Sequence, residues 1–184
     1  MERWVMILAF VCLTTSKSFA QTDIFSTNSG AINFFSSAPL EDIEAKNAKA
    51  ISLINTRNSE IAVRVPIKQF QFRNGLMQEH FNENYMESER YPHATFKGKI
   101  NEAIDFKKSG TYDVSATGVL NIHGVNQERT LKGRLKIDNS GMTLETKFDV
   151  LLADHKIKIP QVVFNKIAEK IAVSTSFTYK PQAK

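Results

Sequence analysis

The sequence predicts an all-β protein: an antiparallel up-and-down barrel of about eight strands, or a two-sheet sandwich of the same strands, with one or two short helices. Three observations carry that expectation. Apolar residues occupy every second position over most of the chain, as half-buried strands require. Turn residues stand between these runs. One passage, residues 73–92, breaks the alternation with apolar residues spaced by four. Periodicity does not separate barrel from sandwich, since both bury one face of every strand.

The first residues stand apart from the fold. Met1-Glu2-Arg3 is a short charged start, Trp4 to Leu13 an unbroken apolar run, and Ser18-Phe19-Ala20 a small-x-small site. This predicts a signal peptide over residues 1–20, cleavage after Ala20, and a protein that is exported, periplasmic or secreted. The apolar run is about half the ~20 residues needed to span a bilayer. The only cysteine, Cys12, leaves with it. Residues 21–184 then form a single domain without a disulfide, held together by its core. A chain of this size buries roughly 70% of its unfolded surface.

The strands are expected at 24–35, as one strand or a pair with a break, then 43–54, 60–72, 94–106, 111–122, 127–137, 142–152 and 170–180. "NTRNS" (55–59) joins the second and third as a hairpin turn. Ile61, Val63, Val65 and Ile67 share a face, and Phe70 and Phe72 resume it after an offset, which predicts a bend or bulge near Lys68. The helical passage follows. Met77, Phe81 and Tyr85 form one apolar stripe facing the barrel, and Glu79, Glu83 and Glu87 form a solvated acidic stripe. Pro92 stops the helix and the chain re-enters as a strand at Ala94. "HGVN" (123–126) and "DNSG" (138–141) turn the chain between the later strands. "PQVVFNKIAEK" (160–170) is a short candidate helix with proline in its first turn.

The chemistry-bearing residues are sparse. Lys and Arg number 24 against 19 acids, for a net charge of +5, and they are scattered singly. Lys132, Arg134 and Lys136 alternate as on a solvated sheet face, so no nucleic-acid stripe is read. His80, His93, His123 and His155 lack the spacing of a zinc helix, and metal ligation would need them to converge from different strands. His123, in its turn, is expected to face water. No serine sits in a G-x-S-x-G elbow, and no glycine-rich phosphate loop is present. What stands out is the apolar inventory: 13 phenylalanines and 5 methionines in the whole chain. These residues either pack an ordinary core or line a tunnel for a long apolar ligand, with Ala116, Gly118 and Gly133 leaving room. The inner rows name Ile61, Val63, Val65, Phe70, Phe72, Met77, Phe81, Tyr85, Phe96, Leu120, Phe148 and Phe164 as candidate ligand contacts. Arg73, His80 or Lys99 would stand at the rim.

The passages "NTRNSEIAVRVPIKQFQF", "NENYMESERYPHATFKGKI" and "YDVSATGVLNIHGVNQERTLKGRLKI" together resemble the YceI-like family. Tyr91-Pro92-x-x-x-Phe96 and the "G-x-L-x-I-H-G-V" passage from Gly118 to Val125 carry the likeness, which extends from about Thr22 to Tyr179. The resemblance implies an extended, lipocalin-like β-barrel that binds long isoprenoid lipids in its interior. Many members carry Asp-Phe-Phe where Asn84-Tyr85-Met86 stands here, so contacts through those side chains do not carry over.

The reading is therefore an exported, non-catalytic lipid-binding barrel without a cofactor beyond a bound isoprenoid-type lipid. Its partners are a hydrophobic small molecule or lipid, with transient membrane contact, as monomer or homodimer. The rivals are a cell-envelope structural module with a packed core, and a hydrolase-like enzyme built on the barrel.

Overall fold

The computed structural model describes residues 23–37, 39–159 and 167–182. Over them the alternation resolves into β1 (Ile24–Ser37), β2 (Asp42–Asn55), β3 (Glu60–Pro66), β4 (Gln71–Phe72), β5 (His93–Ile100), β6 (Gly110–Ile122), β7 (Val125–Asp138), β8 (Gly141–Leu151) and β9 (Lys170–Pro181). All pairings are antiparallel. β1 pairs with both β2 and β9, so the sheet closes into a barrel and the sandwich is set aside. β3 and β4 pair with separate stretches of β2, Ile51–Asn55 and Ala45–Lys46. They are one interrupted strand of an eight-stranded up-and-down barrel.

The interruption is a 3-10 turn, Ile67–Gln69, around the position expected for the bend. Asn47, buried in β2 opposite the gap, repairs the ladder there. Its Nδ2 donates to the Pro66 carbonyl at 2.8 Å, and its Oδ1 accepts from the Lys49 N–H at 2.8 Å. A buried amide is tolerated because its polar atoms are satisfied in this way. On the other side, Ile67 N–H donates to the Pro92 carbonyl at 2.9 Å.

Two expected strand limits differ. β1 is continuous, and the expected break is a pair of register shifts against β2 on either side of Gly30. β5 stops at Ile100 rather than running to 106. There the chain folds onto β6: Asn101 N–H donates to the Ser115 carbonyl at 2.9 Å. The Glu102 carboxylate accepts from the Ser115 N–H and hydroxyl at 2.7 and 2.8 Å. The Ser115 N–H, more than its hydroxyl, holds that carboxyl below its ordinary value. Pro160 to Lys166, including most of the expected second helix, lie outside the described residues, as do residues 1–22.

Gly118 also has a role other than the expected one. It pairs with Gly98 across β5 and β6, and a Cβ there would lie 2.2 Å from the Lys97 carbonyl oxygen and 2.4 Å from the Gly98 Cα. The glycine pair allows close backbone approach between β5 and β6; it does not leave interior room.

The two ends of the barrel are built differently. The end bearing the 55–60 and 138–141 connections is packed solid by Ile54, Leu135, Ile137, Met142 and Tyr179. Ser52 Oγ donates to the Ala62 carbonyl at 3.0 Å, so its contact with Tyr179 at 2.8 Å is a bond donated by the phenol. Burial raises the pKa of that phenol far above its usual value. The opposite end carries the long connections after β4 and β8, the shorter one after β1 and the two-residue turn after β6.

β7 and β8 keep register only from Asp138–Gly141 to Gly133–Thr146. Beyond that point side chains of β7 reach across. Arg129 Nη2 donates to the Asp149 carbonyl and Gln127 Nε2 to the Asp154 carbonyl, each at 2.8 Å. The upper part of this wall is a seam, not a ladder.

Replacing Asn47 with alanine leaves the Pro66 carbonyl and Lys49 N–H without their partner. The expected cost is about 1–3 kcal/mol, read as a lower urea midpoint with unchanged m-value. A midpoint equal to that of the parent protein would remove Asn47 as the bridge.

Candidate functional site: an apolar cavity beneath a helical cover

Asn74 starts the cover. Its Oδ1 accepts from the Leu76 and Met77 N–H groups at 2.9 and 3.4 Å, a side-chain N-cap. The helix α1 (Gly75–His80) then widens into a π-type turn over Phe81–Tyr85, closed by Met86 N–H donating to the Phe81 carbonyl at 2.9 Å. The apolar stripe Met77, Phe81 and Tyr85 faces the barrel as the spacing predicts, and the widened turn adds Met86, which is buried.

Under this cover lies a cavity of about 500 Å³. β3 contributes Ile61, Val63 and Val65, and Phe70 and Phe72 line it just beyond the 3-10 turn. Phe96 of β5, Leu120 of β6 and Phe148 of β8 complete the walls, with Met77, His80, Phe81 and Tyr85 above. Phe164 lies outside the described residues. The structure adds Phe34, Val114, Leu131 and Val173, together with Ile157 from the connection after β8. Val114, Leu131 and Val173 belong to the inner rows already legible as alternation. Phe34 is harder to place, because register shifts disturb β1 ahead of it. Gly133 lines the cavity beside its cross-strand neighbour Thr146, which in turn pairs with Thr175, so this band of wall carries small side chains.

Four rings join cover to barrel. Phe34 lies 5.3, 5.6 and 5.5 Å (ring centroids) from Phe70, Phe72 and Phe81, and Phe72 lies 5.0 Å from Phe81. These tilted and edge-on arrangements are the favourable ones for aromatic pairs. Ser36 adds a polar tie, its Oγ accepting from the Ala168 N–H at 2.9 Å. Glu41, Asn74 and His80 place polar groups at the covered end.

The rim expectations divide. Arg73 is exposed near the cover, 3.8 Å from Glu44. Lys99 is misplaced in the sequence reading: it pairs opposite Glu60 at the packed end of the barrel and faces outward. The acidic stripe also needs correction. Glu79 and Glu83 are exposed on the helix, but Glu87 lies past it, with a left-handed φ of 44°.

Glu87 meets His123, which does not face water. His123 and Gly124 occupy the tight β6–β7 turn with φ of 52° and 73°, as a two-residue hairpin of the primed type requires. The imidazole is 10% exposed and packs against Tyr91 at 4.6 Å. Its Nδ1 donates to the His155 carbonyl at 3.2 Å, and its Nε2 lies 3.1 Å from Glu87 Oε1. A carbonyl and a carboxylate both accept, so only the doubly protonated ring donates to both at once. One side chain thus joins the end of the cover, the β6–β7 turn and the turn after β8.

His155 itself is fully buried, its Nδ1 donating to the Val125 carbonyl at 3.3 Å. Burial lowers its pKa. His93 is exposed at the start of β5. Among the described residues no cluster of three or more His, Cys, Asp or Glu is arranged to hold a metal.

A closed eight-stranded barrel with an apolar interior beneath a helical cover defines a small lipocalin-like β-barrel. The chain belongs to the YceI-like domain family, which it matches over residues 13–179. Its fold is similar to that of a polyisoprenoid binding domain from Saccharophagus degradans implicated in plant cell wall breakdown. The TM-score is 0.71 at 16% identity, covering 88% of this chain and 100% of that one. BcnA of Burkholderia cenocepacia matches with a TM-score of 0.67 at 13% identity, covering 80% and 94%. The Campylobacter jejuni YceI protein gives 0.57 at 13%, covering 100% of both chains. A search of curated proteins found no match.

The fold keeps His155 neutral, whereas in the unfolded chain it protonates near its ordinary value of about 6.5. The unfolded state therefore binds more protons on the acid side. Its contribution to stability is complete above about pH 6.5 and is lost as pH falls through the lowered folded value. Urea midpoints between neutral and mildly acidic pH should fall less steeply for His155→Gln than for the parent protein. Parallel profiles would show that His155 does not drive the loss.

Proposed function

We propose that this protein is an exported lipid-binding protein that holds a long apolar or amphiphilic ligand of isoprenoid type inside the barrel and catalyses no reaction on it. The cavity carries the reading. At about 500 Å³ it lies within the ~300–1,000 Å³ usual for ligand sites, and its walls are chiefly aliphatic and aromatic. Burial of hydrocarbon at ~25 cal/mol per Å² gives such a ligand affinity with few polar contacts. Glu41, Asn74 and His80, at the covered end, suit a polar headgroup. The Saccharophagus degradans domain of like fold, described as polyisoprenoid binding, supports the ligand class.

A packed structural module is disfavoured by the same cavity. A hydrolase would need converging polar groups. His80 stands at the cover while His93 is absent from the cavity lining, and neither is hydrogen-bonded to a carboxylate among the described residues. Export rests on the leader pattern of residues 1–20. Leu40 and Leu76, 69% and 58% exposed at the covered end, suit transient contact with a membrane during loading. The protein works as a monomer or homodimer.

Native mass spectrometry of protein from its own host, followed by lipid extraction, should find a co-purifying lipid in stoichiometric amount. A clean apo mass together with no uptake of an added isoprenoid quinone would sink the proposal. Ala116 faces the cavity, so Ala116→Phe should reduce lipid uptake at least tenfold while the barrel still unfolds cooperatively.

A further inference from the structure

We infer that the packed end of the barrel sets a length limit: the interior accepts a chain of about three to four isoprene units. This rests on the lipid reading above and adds to it the size of the ligand. The floor is the observation behind it. Leu144 and Phe177 are adjacent across β8 and β9 and are the deepest lining residues of those strands. One step below, Met142 pairs with Tyr179, whose ring centroid is 6.1 Å from that of Phe177. Leu135 and Tyr179 have no exposed surface, and the phenol is held by Ser52. A chain end that reaches Phe177 meets close-packed side chains with little room to yield.

The depth of the lining sets the number. The lining runs from Val114 to Ile122 on β6, from Leu144 on β8 to Leu152 just past its end and from Ile171 to Phe177 on β9. These are spans of about six to eight steps of ~3.3 Å. With a strand tilt of ~35–45° they give a depth of roughly 15–20 Å. An extended chain advances about 1.2 Å per bond, as a polypeptide does over three bonds in ~3.3–3.6 Å. The depth then takes about 12–17 bonds, or three to four isoprene units of four main-chain bonds each. A longer prenyl chain leaves its remainder at the covered end.

The test is a binding series on the full chain with geraniol, farnesol, geranylgeraniol and solanesol, all free alcohols with the same headgroup. Affinity should rise by about tenfold per unit up to geranylgeraniol, as buried hydrocarbon increases, and solanesol should bind no tighter. Phe177→Ala lowers the floor and should let affinity rise beyond geranylgeraniol, so that solanesol binds tighter than it does. Thr175→Leu fills space beside the floor and should stop the rise at farnesol, which keeps the test decisive if the first variant fails to fold. Affinity that keeps rising to solanesol in the parent protein overturns the limit alone. An unmoved plateau in folded variants overturns the floor as its cause. Absence of binding to every member removes the lipid reading and the limit with it.

Discussion

Closure of the sheet through β1, which gives one edge to β2 and the other to β9, governs the interior. Eight strands closed in this way enclose a space just wide enough to be filled by side chains or to hold one small ligand. Which outcome prevails is then decided by side-chain size. Tyr179, Leu135 and Ile54 fill one end, whereas Ala94, Ala116 and Gly133 line the space above them. β1 shifts register against β2 on either side of Gly30, where a Cβ would lie 2.3 Å from the Phe177 ring. Wall and floor therefore meet at the same backbone irregularity.

Much of this architecture was legible in the sequence, for a simple reason. An inward row needs apolar residues at period two, and a change of phase marks a bulge. The offset between Ile67 and Phe70 foretold the turn that separates β3 from β4. Alternation reports burial, however, and not hydrogen bonding. Ile104 and Phe106 continue the rhythm of β5 and do pack on the core, yet they lie beyond its last ladder residue, because Asn101 and Glu102 bond to Ser115. Periodicity is likewise blind to whether the outer strands of a meander meet. The barrel came from the family likeness, and the register settles it.

Side chains whose surroundings are assembled from distant segments were the least legible. His123 is flanked by Glu87, Tyr91 and His155, contributed by segments that reading along the chain does not bring together. The same holds for the ring cluster of Phe34, Phe70, Phe72 and Phe81, where only the inward face of each residue could be foreseen. Glu87, His123 and Lys156 all adopt left-handed backbone conformations in these connections. Such conformations persist only where surrounding contacts over-determine them, and His123 supplies contacts to the segments of both Glu87 and Lys156.

The seam between β7 and β8 gives the barrel a direction. Where strands are fully paired, widening the wall means breaking consecutive ladder bonds that stand or fall together. Above Gly133 and Thr146 the wall is crossed by Arg129 and Gln127, and each such tie is worth only about 0.5–1.5 kcal/mol net. Bonds of that kind yield one at a time. Low-energy local opening is thus expected along this flank before the fully paired strands yield. The barrel has a compliant side, and that compliance lies beside the turn on which His155 sits.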